Sequence, residues 1–160
     1  MSADDVANAV EGPEAHAARR RRLQEELRAS AEAVRLSKDT SNLFRSREDA
    51  GRPLDVRDFR HVLSIDPEAG TLEVEGMARY DAIVDAALAH GVMPAVVPEL
   101  RSITIGGAVS GVGIEASSFR YGLVHDTVQE LAILTGGGDI VTARPDNEHA
   151  DLFFGFPNSY

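Results

Sequence analysis

The residues from 104 to 118, TIGGAVSGVGIEASS, combine residue types that favour contact between the backbone and a ligand. The stretch holds four glycines and four hydroxyl-bearing residues. Clustered glycine is costly on folding, because glycine loses more conformational freedom than any other residue. Such a cluster is therefore expected where a ligand, most often a phosphate, must approach the backbone closely.

A dinucleotide-binding fingerprint is the first interpretation of this stretch. Residues 111–116 match the pattern G-x-G-x-x-A, and Glu130 follows at about the 20-residue spacing of a ribose-binding acid. The fingerprint requires a buried strand before it and an amphipathic helix directly after Gly113. The following residues, SSFRYGLVHD, show no helical stripe and contain Gly122. A nicotinamide-binding Rossmann module is therefore disfavoured.

Two other interpretations remain for the same stretch. Two tight turns around a short strand, in a non-catalytic interaction domain, would leave the set of hydroxyls unexplained. An extended loop that cradles an anion accounts for more of the residues, because consecutive amides and hydroxyls can surround a diphosphate. In that loop Thr104 is the first residue, four glycines admit the ligand, and Ser117 and Ser118 are the last. The glycines are Gly106, Gly107, Gly111 and Gly113.

The elements around this stretch indicate an α+β fold. We expect helices over residues 17–34 and 77–91, the second ending at a left-handed Gly91, and a short helix within 147–155. Strands are expected within 34–44, over 54–66 and 71–76 around a turn at 66–70, at 93–97, and on both sides of Gly136–Gly138. Because strands and helices do not alternate regularly, α+β is favoured over a doubly wound sheet.

The segment from Pro98 to Ala143 resembles the flavin-binding segment of FAD-linked oxidases of the vanillyl-alcohol oxidase, or PCMH, type. The motifs that carry the likeness are P-E-L, T-I-G-G, G-V-G-I-E-A-S-S and the aromatic–glycine pair at Tyr121 and Gly122. Within this superfamily the chain is most similar to the delta24-sterol reductase group. The resemblance extends over roughly 34–160 and implies a PCMH-type FAD-binding domain at 33–160, after a polar and helical lead-in at 1–32.

The resemblance also implies which residues contact FAD. The pyrophosphate and ribityl chain would lie along Thr104, Ile105, Gly106, Gly107, Ala108, Val109, Ser110, Gly111, Val112, Gly113, Ile114, Glu115 and Ala116. The flavin end would be approached by Pro98, Glu99 and Leu100, and the loop flanked by Ser117, Ser118 and Gly122. A first phosphate loop would contain Thr40, Ser41 and Asn42, and the adenine would lie near Ile140 and Val141.

Three departures from the family pattern refine these expectations. The family's G-I-E-S-S-S has Ala116 in place of a serine, which removes one hydroxyl. The family's D-G turn is Gly137–Gly138, which should loosen a hairpin more than the flavin site. Many members attach FAD covalently through a histidine of the first loop. Here that loop reads SKDTSNLF and has no histidine, so non-covalent FAD is expected.

The resemblance implies a flavin-dependent oxidoreductase. The sterol reductase likeness implies reduction of a carbon–carbon double bond in a sterol- or lipid-like substrate, with NADPH as hydride source. A flavin oxidase or dehydrogenase of an alcohol is an equal alternative. The family's substrate domain would lie beyond Tyr160, so the catalytic residues are not identified, and the apolar end ADLFFGFPNSY suggests an incomplete domain that has no turnover alone.

Composition limits the other partners of this 160-residue chain. The net charge of −10 repels nucleic acid and anionic membrane surfaces. No cysteine is present, which fits a cytoplasmic location, and peripheral membrane association is compatible with a lipid-like substrate. No apolar stretch is long enough for a membrane helix.

Other candidate chemistry is weak. The five histidines do not form a metal-ligand pattern, so no metal site is predicted. His125 and Asp126 are more typical of a turn than of a site. No G-x-S-x-G elbow is present, which disfavours a hydrolase. Glu99 and Glu115 are expected to accept hydrogen bonds from amides or ribityl hydroxyls rather than to act as acid or base.

Overall fold

Short helices and two-stranded sheets make up the computed structural model, which describes residues 12–39, 51–157 and 159. The helices are α1 (Pro13–Arg28), α2 (Tyr80–Ala89), α3 (Ile105–Ser110), α4 (Ser118–Tyr121) and α5 (Ala150–Gly155), with a 3-10 helix at Val124–Thr127. The strands are β1 (Val34–Ser37), β2 (Arg52–Asp55), β3 (Val62–Asp66), β4 (Thr71–Val74), β5 (Leu131–Leu134) and β6 (Ile140–Ala143). This mixture confirms the predicted α+β class.

The strands pair as three separate sheets in the described chain. Strands β1 and β2 are parallel, with Val34 opposite Arg52 and Ser37 opposite Asp55. Strands β3 and β4 form one antiparallel hairpin, and β5 and β6 form another.

Most of the predicted elements are present. The hairpin turns at 66–70 and 135–139 lie where proline, glycine and aspartate suggested. Helix α2 ends as expected: Gly91 has a φ of 73°, its amide donates to Leu88, and the amide of Val92 donates to Ala87. Together these two bonds satisfy the last carbonyls of the helix. The short C-terminal helix is α5.

Three predicted elements are wrong. The first helix ends at Arg28, and Val34 lies in β1 because its backbone pairs with Arg52. The expected strand over 54–66 is divided into β2 and β3. Residues 93–97 form no strand, since Pro94 and Pro98 lack amide donors and Val96 is buried by side-chain packing instead.

Three apolar clusters fill the interior. One contains Tyr80, Val96, Ala108, Val109 and Val124, and it lies under the glycine-rich segment. A second contains Leu23, Leu54 and Val56, and a third contains Val62, Ala78 and Ile83. Ile105 packs against both the first and the third cluster. Helix α3 therefore lies between two parts of the core.

Helix α1 packs against the sheet residues that follow it. Leu23 is 7% exposed and shares a cluster with Leu54. The side chain of Gln24 donates to the carbonyl of Gly138 in the β5–β6 turn at 2.8 Å. In the structure this helix is thus joined to the rest of the domain, and the division at residue 32 stays a prediction. No described helix is both long and apolar enough to cross a membrane.

Candidate cofactor-binding site

The beginning of helix α3 is held by bonds to a distant segment of the chain. The side chain of Thr104, which is 5% exposed, accepts from the amide of Gly107 at 3.3 Å and so caps the helix. The amides of Ile105 and Gly106 donate to the carbonyls of Ala78 and Gly76 at 2.9 and 2.8 Å. The first three amides of α3 are therefore already paired within the protein.

This arrangement corrects the expected extended loop, because residues 105–110 are helical. Gly106 is needed by the protein's own backbone: a Cβ there would lie 2.6 Å from the carbonyl oxygen of Gly76. Gly113 is packed similarly, since a Cβ would lie 3.0 Å from Val124 Cγ2 and 3.3 Å from the carbonyl oxygen of Ala108. At both positions the absence of a side chain allows another part of the protein to pack against the glycine.

A tight turn follows α3. Gly111 ends the helix, and the amide of Gly113 donates back to Ala108 at 2.8 Å. Between the two glycines, Val112 has a φ of 55°, a left-handed conformation that is strained for a β-branched residue. The turn directs the chain away from the core, so that Ile114 is 73% exposed.

The segment 114–117 offers unpaired amides. Among the residues that the structure describes, no group accepts a hydrogen bond from the amides of Ile114, Ala116 or Ser117. The amide of Glu115, which lies between them, donates to the hydroxyl of Ser118 at 2.9 Å. The donors that could bind an anion thus follow α3, whereas those at its N-terminus are occupied.

The hydroxyls divide into two groups. Those of Ser110 and Ser117 donate to the carbonyls of Gly106 and Ala95, each at 2.8 Å. Those of Thr104 and Ser118 only accept in the described contacts, so each retains a hydrogen to donate. Thr104 is buried, which leaves the Ser118 hydroxyl as the more accessible donor for a ligand.

Two bonds join the segment 95–99 to this loop. One is the bond from Ser117 to Ala95, and the other runs from the amide of Glu99 to the carboxylate of Glu115 at 3.3 Å. Glu115 therefore accepts from an amide, as expected of these carboxylates. Pro98 is buried, and Leu100 beyond it is 67% exposed. The structure thus brings the predicted flavin end and the glycine-rich segment together.

Tyr80 is a buried residue of the apolar cluster that contains Val109. Burial, with a smaller contribution from the negative charge of Glu115, raises the pKa of the Tyr80 phenol well above its ordinary value. Tyr80 therefore stays neutral, and its ring packs in the cluster that contains Ala108 and Val124. Sequence reasoning placed Tyr80 only within a helix.

The aromatic–glycine pair precedes a closed turn. Gly122 has a φ of 80°, and the carboxylate of Asp126 accepts from the amide of Leu123 at 2.7 Å. The amide of Val124 then donates to the carbonyl of Gly113 at 3.0 Å. This bond joins the turn at 122–126 to the start of the loop 113–117. Asp126 thus has the turn role that was favoured for the His125–Asp126 pair.

The remaining predicted contacts are more scattered. Ile140 and Val141 are half-buried on β6, where they pair with Leu134 and Ile133. Thr40, Ser41 and Asn42 lie outside the described residues. All of these FAD contacts stay predictions.

Glu75 is a buried group that sequence reasoning missed. It directly follows β4 and is 3% exposed. Its carboxylate is bonded by His16, Arg19 and His61. The burial of this single acidic residue could not be predicted from the sequence, because its partners lie far away along the chain.

The structure also rejects the dinucleotide fingerprint. A helix, α3, precedes Gly111 in place of a buried strand, and no long helix follows Gly113. Two single-turn elements, Ser118–Tyr121 and Val124–Thr127, are interrupted by Gly122. The geometry that a Rossmann module needs is therefore absent from this described segment.

Comparison with known families agrees with this geometry. A sequence model described as an FAD binding domain matches residues 15–144. A Delta(24)-sterol reductase of Arabidopsis thaliana is 40% identical over 104 residues, which are 65% of this chain and 18% of that protein. Cytokinin dehydrogenase 10 of Oryza sativa subsp. japonica is 32% identical over 94 residues, 59% of this chain and 17% of that protein.

A solved structure shares the fold. The crystal structure of 6-hydroxy-D-nicotine oxidase from Arthrobacter nicotinovorans superposes with a TM-score of 0.74 at 20% identity, over 86% of this chain and 30% of that one. The chain thus spans less than a third of these proteins' lengths. The comparisons confirm the resemblance, the PCMH-type fold and FAD as the cofactor.

Proposed function

This chain belongs to the FAD binding domain family, and we propose that it is the FAD-binding part of a flavin-dependent oxidoreductase. The observation that carries the proposal is the group of unpaired amides at Ile114, Ala116 and Ser117. They follow the tight turn at 111–113 and lie beside the predicted flavin end at 98–100. Sites for FAD need such donors for the pyrophosphate and ribityl groups.

The residues present fit FAD. Backbone amides and the Ser118 hydroxyl provide hydrogen-bond donors without side-chain bulk. Exposed apolar side chains flank them, since Leu100, Ile114 and Phe119 are 67%, 73% and 91% exposed. Donors beside apolar surface match a ligand with both a diphosphate and aromatic rings. FAD supplies the redox chemistry when bound, and this chain holds and orients it.

We expect FAD to be held without a covalent link. The segment Ser37–Phe44, at the position of the family's linking loop, contains no histidine. His16 and His61 are both bonded to the buried carboxylate of Glu75. Release of intact flavin on acid precipitation of the protein would agree with this proposal.

A sterol- or lipid-like substrate is the main proposal for the whole reaction. The Arabidopsis relative, 40% identical, is named as a sterol reductase. The corresponding reaction would add a hydride and a proton across a carbon–carbon double bond, with NADPH as the hydride source. We place the protein in the cytoplasm, a proposal supported by the absence of cysteine, with peripheral membrane contact when it meets a lipid.

An oxidation is the alternative reaction. The cytokinin dehydrogenase relative, 32% identical, supports a flavin dehydrogenase or oxidase, such as one that acts on an alcohol. Both reactions use the same FAD-binding segment. The substrate, not the cofactor, distinguishes them.

The first experiment is a fluorescence titration of the folded chain with FAD, with NAD and NADP in parallel. Gly113 is unsuitable as a probe, because a side chain there would press on Val124. Ile114→Asp is better, since the side chain is 73% exposed and a carboxylate would face the diphosphate. We expect saturable binding of FAD alone, weakened about tenfold by Ile114→Asp through charge repulsion.

The matched control is Ala69→Asp. It adds the same charge at an exposed position in the β3–β4 turn, so it should leave the FAD dissociation constant unchanged. Equal effects of the two variants would remove the loop 114–117 from the binding site. Binding of NAD in place of FAD would overturn the proposed function.

A further inference from the structure

The carboxylate of Glu75 joins three parts of the chain. Its side chain has no exposed area, and its Oε1 accepts from His16 Nδ1 at 2.7 Å and Arg19 Nη2 at 2.6 Å. Its Oε2 accepts from the His61 amide at 3.0 Å and from His61 Nδ1 at 2.8 Å. A carboxylate only accepts, so both Nδ1 atoms carry the hydrogen. Glu75 thus fastens α1 to the residues before β3.

The turn that contains Glu75 also holds the start of α3. Within the turn, the amide of Ala78 donates to the carbonyl of Glu75 at 2.9 Å. The carbonyls of Gly76 and Ala78 then accept the amides of Gly106 and Ile105. The Cα of Gly106 also faces this turn, since a Cβ there would lie 2.6 Å from the carbonyl oxygen of Gly76. The start of α3 is therefore fixed to the residues directly after Glu75.

We propose that Glu75 is a positioning residue for the FAD site, acting through the turn 75–78 on the start of α3. The proposal rests on the proposed function. Loss of the Glu75 charge would remove the buried anion that Arg19 and two imidazoles share, and in Glu75→Gln one acceptor oxygen becomes an amide group that only donates. The turn 75–78 would then hold the start of α3 less firmly. The loop 111–117, which follows α3, would lie less often in the position that binds FAD. Glu75 itself touches no predicted FAD contact.

Hydrogen exchange tests the positioning role without the cofactor. Glu75→Gln keeps the shape of the side chain but removes its charge. The matched control is Phe153→Ala, which removes a buried ring of α5 that belongs to none of the three apolar clusters. Exchange of the Ile105 and Gly106 amides is followed by NMR, at a temperature where each variant is folded by near-UV circular dichroism.

We expect Glu75→Gln to speed exchange of these two amides at least tenfold relative to Phe153→Ala, even where both variants lower the melting temperature equally. FAD should bind about five- to tenfold more weakly to Glu75→Gln, and with unchanged affinity to Phe153→Ala. Equal protection of the amides in the two variants would overturn the proposal.

A second variant, Arg19→Lys, tests the same contact if Glu75→Gln is unstable. If Glu75→Gln does not fold, Arg19→Lys replaces it, because lysine keeps the charge but cannot make both guanidinium contacts to Oε1. The Ile105 and Gly106 amides are then expected to exchange faster in Arg19→Lys than in the control variant. If the wild-type chain fails to bind FAD, the proposed function fails, whereas the exchange rates still decide whether Glu75 positions α3.

Discussion

At the residue scale, Gly106 shows that a glycine in a ligand-binding motif can be required by the protein itself. Its neighbour across the contact is the backbone of Gly76, 2.6 Å from where a Cβ would lie. Backbone cannot move aside as a flexible side chain can. The T-I-G-G motif therefore has a packing role, which its composition alone did not indicate.

We predict that Gly106→Ala lowers the free energy of unfolding by about 1–3 kcal/mol, the usual cost of overpacking. Gly76→Ala is the control on the opposite side of the contact, since a Cβ at Gly76 meets nothing within 4 Å. That variant should change stability by less than about 0.5 kcal/mol. Urea unfolding of the two variants measures both values, and equal stability would contradict the packing role of Gly106.

At the element scale, α1 is attached to the domain by both apolar and charged contacts. Leu23 packs with Leu54, and Arg19 and His16 bond to Glu75. Burial would raise the pKa of Glu75, but hydrogen bonds from His16, Arg19 and His61 outweigh it and hold the pKa below its ordinary value of 4.5. The attachment of α1 is therefore sensitive to acid.

The sign of the pH dependence follows from this lowered pKa. Stability from Glu75 is fully present above the unfolded pKa near 4.5 and is lost as pH falls through the lower folded value. We expect the free energy of unfolding to decline below pH 4.5 in the wild type, and to decline less steeply in Glu75→Gln. Asp55, whose pKa is lowered mainly by its hydrogen bonds with Arg57, contributes with the same sign to both proteins.

Urea unfolding across this acid range gives the comparison. Parallel curves for the wild type and Glu75→Gln would show that the buried carboxylate does not contribute to acid sensitivity. A higher stability of Glu75→Gln at neutral pH would contradict the attachment of α1 through this charge.

At the scale of the whole molecule, the charge of the chain opposes its cofactor. The net charge is −10, and FAD carries an anionic diphosphate. Repulsion slows the encounter of like charges and is screened by salt. In the proposed site, the uncharged amides at 114, 116 and 117 would still bind the diphosphate, because their attraction acts at hydrogen-bond distance.

We expect the association rate of FAD to rise roughly two- to threefold between low and physiological ionic strength, as screening removes the repulsion. Stopped-flow fluorescence measures the rate. Riboflavin, which has no phosphate, serves as the control and should associate at a rate independent of salt. An FAD rate that falls with salt would show that a positive local field dominates the site.

Much of this fold could be predicted because its signals are local. The turns of the two hairpins contain residues suited to bends, and α2 has an apolar face and a glycine at its end. The wrong predictions fall where distant partners decide. Val34 is in a strand because Arg52 pairs with it, and α3 forms despite its two glycines because Gly76 and Ala78 accept its first amides.

A contiguous motif was enough to predict the family and the cofactor, both of which are confirmed, whereas the position of the cofactor-binding segment stays a prediction. Only the tertiary structure decided which donors in that segment are available and which are occupied by Ala95, Gly76 or Ala78. It also decided that Glu75 is buried, since His16, Arg19 and His61 meet it from distant parts of the chain. Hydrogen-bond pairing and burial depend on partners brought together by folding, and a local pattern carries no information about them.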